Sequence, residues 1–223
     1  MSDLLPKAIA FDLDGTLIDS LPGIQFSIDS AMARCGVRQR NIDLRSIIGP
    51  PIRVILSLLA DGTEASLDDL ETAFRRSYDS DGWTRTKLFP GTAAVLATLQ
   101  AEGIRLFVVT NKPRHISMKI LEQAQIDRVF EGIITRDSRQ PPYSNKREML
   151  DHLRNCYGLY GPDCLFVGDT EEDGVAAAES GLKFALVTYG YGTISETHSF
   201  PICFQTSDLS RLSELLQVEF AHD

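Results

Sequence analysis

Two aspartates, Asp12 and Asp14, stand directly after a short apolar run at residues 8–11. Alternation along an extended chain puts both carboxylates on one side and Leu13 on the other. Gly15 then allows a sharp turn. Carboxylates at the carboxyl end of a buried strand are costly unless something positive meets them. A hard cation with oxygen ligands answers that need, and Mg2+ suits a cluster that also holds a phosphate. Three later points carry further chemistry. Thr110 and Asn111 follow an apolar run at 104–109. A hydroxyl, an amide and free backbone N–H groups there can hold phosphate oxygens, although Thr-Asn is also an ordinary turn former. Lys146 stands near a helix start, where anions are favoured over cations. It reads either as a solvated surface lysine or as a placed charge. Gly168-Asp169-Thr170-Glu171-Glu172-Asp173 follows the run 163–167. It makes a favourable acidic helix start, yet Asp169 closes a strand just as Asp12 does.

The elements that must position these residues follow from the periodicity. Residues 8–11, 104–109, 129–135, 163–167 and 182–187 read as strands, with 201–204 as a short edge strand where proline is tolerated. Helices are predicted over 91–102, 113–125, 144–157 (capped by Ser144), 172–180 and 207–218 (capped by Ser207). Strands alternating with single helices predict an α/β fold, a Rossmann-like parallel sheet with helices on both faces. Residues 136–145 form one long polar loop inside that pattern. The region 19–87 breaks it. Ser20 with Pro22 starts a helix that Gly36 ends. A short helical piece at 44–48, a helix from Pro51 to Ala60 with Asp61-Gly62 as its stop, and a helix from Ser66 to about Ser80 follow. This reads as a small α-helical cap, 19–87, inserted into a core domain made of 1–18 and 88–223. Its linkers lie at about 17–20 and 84–90, and an insert on two neighbouring linkers can swing as a lid.

In order, Asp12-Leu13-Asp14-Gly15-Thr16, Thr110-Asn111, Lys146 and Gly168-Asp169-x-x-x-Asp173 resemble the four-motif series of the haloacid dehalogenase superfamily. The resemblance spans essentially the whole chain. Leu88-Phe89-Pro90-Gly91, Thr110-Asn111-Lys112-Pro113 and Ile48-Gly49-Pro50-Pro51 are similar to the phosphoglycolate phosphatase-like branch. One departure concerns the lysine, which is often followed by proline in that branch but here by Arg147, so Lys112 is its rival. The resemblance implies a Mg2+-dependent phosphatase working through an aspartyl-phosphate. Asp12 would be the nucleophile and Asp14 the general acid and base. Lys146, Thr110 and Asn111 would bind the phosphoryl group. Asp12, the backbone carbonyl of Asp14, and Asp169 would bind the metal, with Asp173 in its outer shell. Gly49, Pro50 and Arg53 of the cap would face the rest of the substrate, Arg53 pairing with a carboxylate where one is present.

The chain of 223 residues has a formal net charge of −9 and pI near 4.9. Neither nucleic acid nor an anionic membrane suits that charge. A small-molecule phosphate ester does, provided positive charge is placed locally. No apolar run approaches membrane-spanning length, and the N-terminus reaches Asp12 before a signal-like segment could form. The expectation is a cytoplasmic monomer or homodimer. Cys35, Cys156, Cys164 and Cys203 form no CxxC and read as small core residues. Two other functions fit the same motifs. A phosphomutase would return the phosphoryl group to a sugar instead of water, and a non-catalytic binding or regulatory protein could use the same fold.

Overall fold

The computed structural model describes residues 5–61 and 66–220. Among them the strands are Ala8–Phe11 (β1), Ile18–Asp19 (β2), Lys87–Leu88 (β3), Arg105–Thr110 (β4), Gly132–Thr135 (β5), Cys164–Gly168 (β6), Lys183–Val187 (β7) and Phe204–Thr206 (β8). The helices are Leu21–Cys35 (α1), Ile52–Leu59 (α2), Leu67–Ser80 (α3), Thr92–Ala101 (α4), Arg114–Gln123 (α5), Lys146–Tyr157 (α6), Glu171–Glu179 (α7) and Leu212–Glu219 (α8). Six strands pair in the order β5-β4-β1-β6-β7-β8, and every pairing is parallel. The expected α/β architecture is therefore present.

Alternation along these strands builds two cores. Ile9, Phe11, Leu106, Val108, Leu165 and Val167 face one side, where Leu96 and Leu99 of α4, Ile116 and Ile120 of α5, and Leu212 and Leu216 of α8 pack. Ala8, Ala10, Phe107, Val109 and Phe166 face the other, against Met149, Leu150 and Leu153 of α6 and Ala176 and Ala177 of α7. Burial on both faces is what makes parallel strands read as continuous apolar runs. β1 lies inside the sheet between β4 and β6, so the carboxyl ends of all three open side by side on one edge.

Several boundaries differ from the periodicity. Residues 127–129 form a 3-10 turn, and β5 starts only at Gly132. The edge strand is β8, two or three residues beyond the predicted one, because Pro201 has no N–H for the ladder. Helix α6 is capped by Asn145, not Ser144: the Asn145 side chain accepts from Glu148 N at 2.9 Å. Asp208, not Ser207, caps the C-terminal helical run, accepting from Ser210 N. In both cases the longer Asn or Asp side chain one position further on reaches the N–H groups. Ser20 occupies its predicted cap position, but its hydroxyl makes no capping bond. Gly62 of the predicted stop lies outside the described residues. Of the cysteines only Cys164 is a core residue; Cys35 and Cys203 are half-buried, and Cys156 lies on the exposed face of α6.

Helices α1, α2 and α3 lie between β2 and β3 in the chain. Those two short strands pair antiparallel, Ile18 with Leu88 and Asp19 with Lys87. The entry and exit of the helical insert are thus a two-stranded ribbon, not two independent linkers. The helices of the insert bury Ile28, Met32, Leu56, Leu59, Leu70 and Phe74, in one apolar cluster with the Ile9 and Phe11 face of the sheet.

Candidate active site

The carboxyl ends of β1, β4 and β6 converge on one cavity of about 570 Å³. Asp12, Asp14, Thr110, Asn111, Lys112, Lys146 and Thr170 line its floor, and Ile24, Ile48, Gly49, Pro50, Ile55, Phe74 and Tyr78 of the insert line its roof. Asp12 continues the ladder for one residue beyond β1, its N–H donating to Val167 O at 2.9 Å. That bond holds the carboxylate at the strand end with only 5% of the residue exposed. Leu13 turns into the core and Asp14 returns to the cavity.

Lys146 opens α6 and is 3% exposed. Its Nζ lies 3.0 Å from Asp12 Oδ1 and 2.5 Å from Asp173 Oδ1. A lysine at a helix start runs against the helix dipole, and these two buried carboxylates supply the reason for it. Burial alone would lower its pKa; Asp12 and Asp173 more than reverse that, so Lys146 stays charged. Lys112 has a different partner. Its Nζ lies 2.9 Å from Asp14 Oδ1 and sits over the Tyr78 ring. Of the two rival lysines, Lys146 is therefore the one on Asp12, and Lys112 is the one on Asp14.

Asp169 directly follows β6 and its carboxylate accepts three hydrogen bonds. Thr16 Oγ1 donates to its Oδ1 at 3.0 Å, while Tyr191 N and Gly192 N donate to its Oδ2 at 2.8 and 3.2 Å, which leaves a lone-pair site open on Oδ1. The oxygens of Asp12, Asp169 and Asp173 lie within 4.8 Å of one another. Burial raises the Asp12 carboxyl well above the ordinary range; Lys146 opposes this, and Asp173, Asp169 and Asp14 add to it. Asp169 is pushed up to about 6 by burial and then by Asp173, against its hydrogen bonds. Crowded buried carboxylates of this kind have the charge and the hard oxygen donors that a divalent cation takes. Asp173 is less available than the other two. Its Oδ2 accepts from Asp169 N, Thr170 N and Thr170 Oγ1 at 2.7–3.2 Å, closing a capping box on α7, and its Oδ1 holds Lys146. It is built to position the loop and the lysine.

Thr110 Oγ1 accepts from Lys112 N at 3.2 Å, which leaves its own proton to donate into the cavity. The Asn111 amide is held by Glu172, 3.2 Å from both carboxylate oxygens. Gly49 and Pro50 line the roof. Arg53 lines it too, but its guanidinium donates to Asp68 Oδ1 at 2.5 Å and Glu71 Oε2 at 3.1 Å.

Sequence reasoning missed the loop after β7. Tyr189-Gly190-Tyr191-Gly192 packs against Asp169 so closely that a Cβ on Gly190 would lie 2.3 Å from Asp169 Cβ. Tyr191 Oη accepts from Ser20 N and Leu21 N at 2.7 and 3.1 Å and donates to Asp19 Oδ1 at 2.8 Å. It caps α1 in place of Ser20 and ties the start of the insert to Asp169. The signal was present: two glycines directly beyond a parallel strand end, on the edge where such sheets bind ligands.

Gly15 joins the two carboxylate loops. Its φ is +87°, and a Cβ there would meet Asp169 Oδ2 at 2.3 Å. Gly15→Ala is expected to lower stability by more than about 1 kcal/mol, read by thermal melting. An unchanged melting curve would show that this contact is not needed.

An open parallel sheet that gathers buried carboxylates and a lysine at its carboxyl edge, under a helical insert, defines a Rossmann-like α/β protein with an acid–lysine centre. The chain belongs to the haloacid dehalogenase-like hydrolase family, whose sequence profile matches residues 9–187. It is 32% identical over 217 residues to phosphoglycolate phosphatase 1 of Pseudomonas aeruginosa, covering 92% of this chain and 76% of that protein. It is 30% identical over 210 residues to the 5'-nucleotidase of the same organism, covering 94% and 95%. The solved structure of protein tyrosine kinase A of Mycobacterium tuberculosis superposes with a TM-score of 0.81 at 31% identity, covering 95% of this chain and 98% of that one. No helix among the described residues is long and apolar enough to cross a membrane.

Proposed function

We propose that this chain is a Mg2+-dependent phosphatase of small phosphate monoesters that works through an aspartyl-phosphate. The observation that carries the reading is the Lys146 ammonium placed between Asp12 and Asp173 beside Asp169. The relatives named for phosphoglycolate and 5'-nucleotide hydrolysis support it. Asp12 and Asp169, with the Asp14 carbonyl, would hold Mg2+. The ion, when bound, supplies positive charge that screens the phosphate from the carboxylates.

Asp12 attacks phosphorus, an Asp12–phosphoryl bond forms and the ester P–O bond breaks. Asp14, in its protonated form, gives that proton to the departing alkoxide. Asp14 then takes a proton from water as that water attacks the same phosphorus, releasing inorganic phosphate and restoring the Asp12 carboxylate. The opposing term is repulsion between anions. At about 4 Å and an effective dielectric of 20, each pair of unit charges costs roughly 4 kcal/mol. Lys146 offsets this on the Asp12 side, and Thr110 and Asn111 donate to the phosphoryl oxygens. Residues 19–87 serve as the cap, with Gly49, Pro50 and Arg53 forming the wall above the leaving group. Arg53, bound to two carboxylates already, shapes that wall.

The test is phosphate release from a panel of monoesters, including phosphoglycolate, sugar phosphates and nucleotides. Activity is expected with Mg2+, to vanish in EDTA and to return on adding Mg2+. Ca2+ should replace it poorly, because it prefers more ligands and longer bonds. Undiminished activity in chelator would defeat the metal assignment. Transfer to a sugar acceptor without phosphate release would favour a phosphomutase.

A further inference from the structure

Six basic side chains line the cavity: Arg53, Arg75, Lys112, His115, Arg136 and Lys146. Five are committed to carboxylates. Arg53 and Arg75 share Glu71, at 3.1 and 2.7 Å. Lys112 holds Asp14 and His115 holds Asp79, at 2.9 and 3.1 Å. Lys146 holds Asp12 and Asp173. Among the described residues, Arg136 has no carboxylate within 4.0 Å of its guanidinium. Its neighbour Asp137 is turned away, accepting from Arg114 N at 2.9 Å and Thr135 Oγ1 at 2.7 Å.

The backbone of Arg136, by contrast, is pinned. Its N–H donates to Thr110 O at 3.1 Å, and its carbonyl accepts from Tyr143 N at 2.9 Å. It therefore extends β5 beside the Thr110–Thr135 pair, at a fixed offset from the phosphoryl-binding Thr110. β4 separates β5 from β1, and Arg136 stands two residues beyond Ile134, which is level with Asp12, so its backbone starts roughly 12 Å from Asp12. A half-buried arginine at that remove, lining an acid-rich cavity in a chain of net charge −9, carries charge that the fold itself does not consume.

We propose that Arg136 is the subsite for a second anionic group of the substrate, a carboxylate or second phosphate carried on the leaving alcohol. The proposal rests on the phosphatase reading above. A planar guanidinium can grip either group through two parallel hydrogen bonds. Arg53 would first have to leave Asp68 and Glu71, whereas Arg136 breaks no ion pair.

The experiment compares wild type with Arg136→Gln and Arg136→Lys. The substrates are phosphoglycolate and fructose 1,6-bisphosphate, which carry a second anion, and glycerol 1-phosphate and p-nitrophenyl phosphate, which do not. Arg136→Gln should lower kcat/KM on the first pair by about 10- to 100-fold, the scale of a lost hydrogen bond to a charged group. The loss should lie mainly in KM, since this contact is present before and during transfer. On the second pair the change should stay under about twofold, and Arg136→Lys should recover part of the loss. A loss confined to one member of the first pair assigns the anion as carboxylate or phosphate. Equal losses on all four esters, or none, would overturn the proposal. If wild type hydrolyses no ester, the phosphatase reading fails, and calorimetry with Mg2+ still decides the subsite. Arg136→Gln must then weaken phosphoglycolate binding and leave inorganic phosphate binding unchanged.

Discussion

Asp12→Asn is expected to reduce phosphate release by more than about 10³-fold, the scale on which loss of a covalent nucleophile is felt. The protein should stay folded. Asparagine nearly matches aspartate in size and keeps a carbonyl oxygen towards Lys146, while Asp173 still neutralises the lysine. Burial already opposes the Asp12 charge, so a neutral amide there removes a desolvation cost. Melting temperature and phosphate release measured on the same preparation check both halves. A folded Asp12→Asn protein that retained most of its activity would remove the covalent route.

The second large effect concerns the lysines. Lys146→Ala should cost at least about 10²- to 10³-fold in kcat, as for loss of a donor aimed at developing transition-state charge. It should also destabilise, by about 3–5 kcal/mol, because Asp12 and Asp173 lose a buried partner. Added Mg2+ should restore part of the stability but not the turnover. Lys112→Ala should cost far less in kcat, because Lys112 meets Asp14, which is 22% exposed, and not Asp12. Steady-state kinetics and melting curves with and without Mg2+ distinguish the two. If Lys112→Ala proved the more damaging change, the two assignments would have to be exchanged.

The sheet and the acids at its edge were legible because they rest on short-range pattern. The apolar runs of β1, β4 and β6 are buried on both faces, and such strands leave nothing to infer but their ends. Asp12 and Asp169 directly follow those ends, Asp14 stands two residues beyond Asp12, Thr110 is the last residue of β4, and Lys146 and Asp173 lie in the first turn of a helix. What stayed hidden depends on contacts between distant segments. Which lysine meets Asp12 is decided by where α6 begins relative to β1, a separation that spacing along the chain does not encode. Tyr191 is a cap for α1 from 170 residues away, so local capping rules pointed to Ser20 instead. Arg53 looked available because its acids, Asp68 and Glu71, lie on the next helix of the insert. Arg136 stood in a loop that read only as polar.

The central step is the passage of a phosphoryl group through Asp12. It is tested most directly by acid-quenching the enzyme during turnover of an ester that it hydrolyses, in Mg2+, and sequencing its peptides by mass spectrometry. A phosphoryl adduct is expected on the peptide containing Asp12, absent from Asp12→Asn and accumulating when Asp14→Asn slows the attack of water. Turnover with no adduct at any quench time, together with undiminished activity of Asp12→Asn, would contradict it.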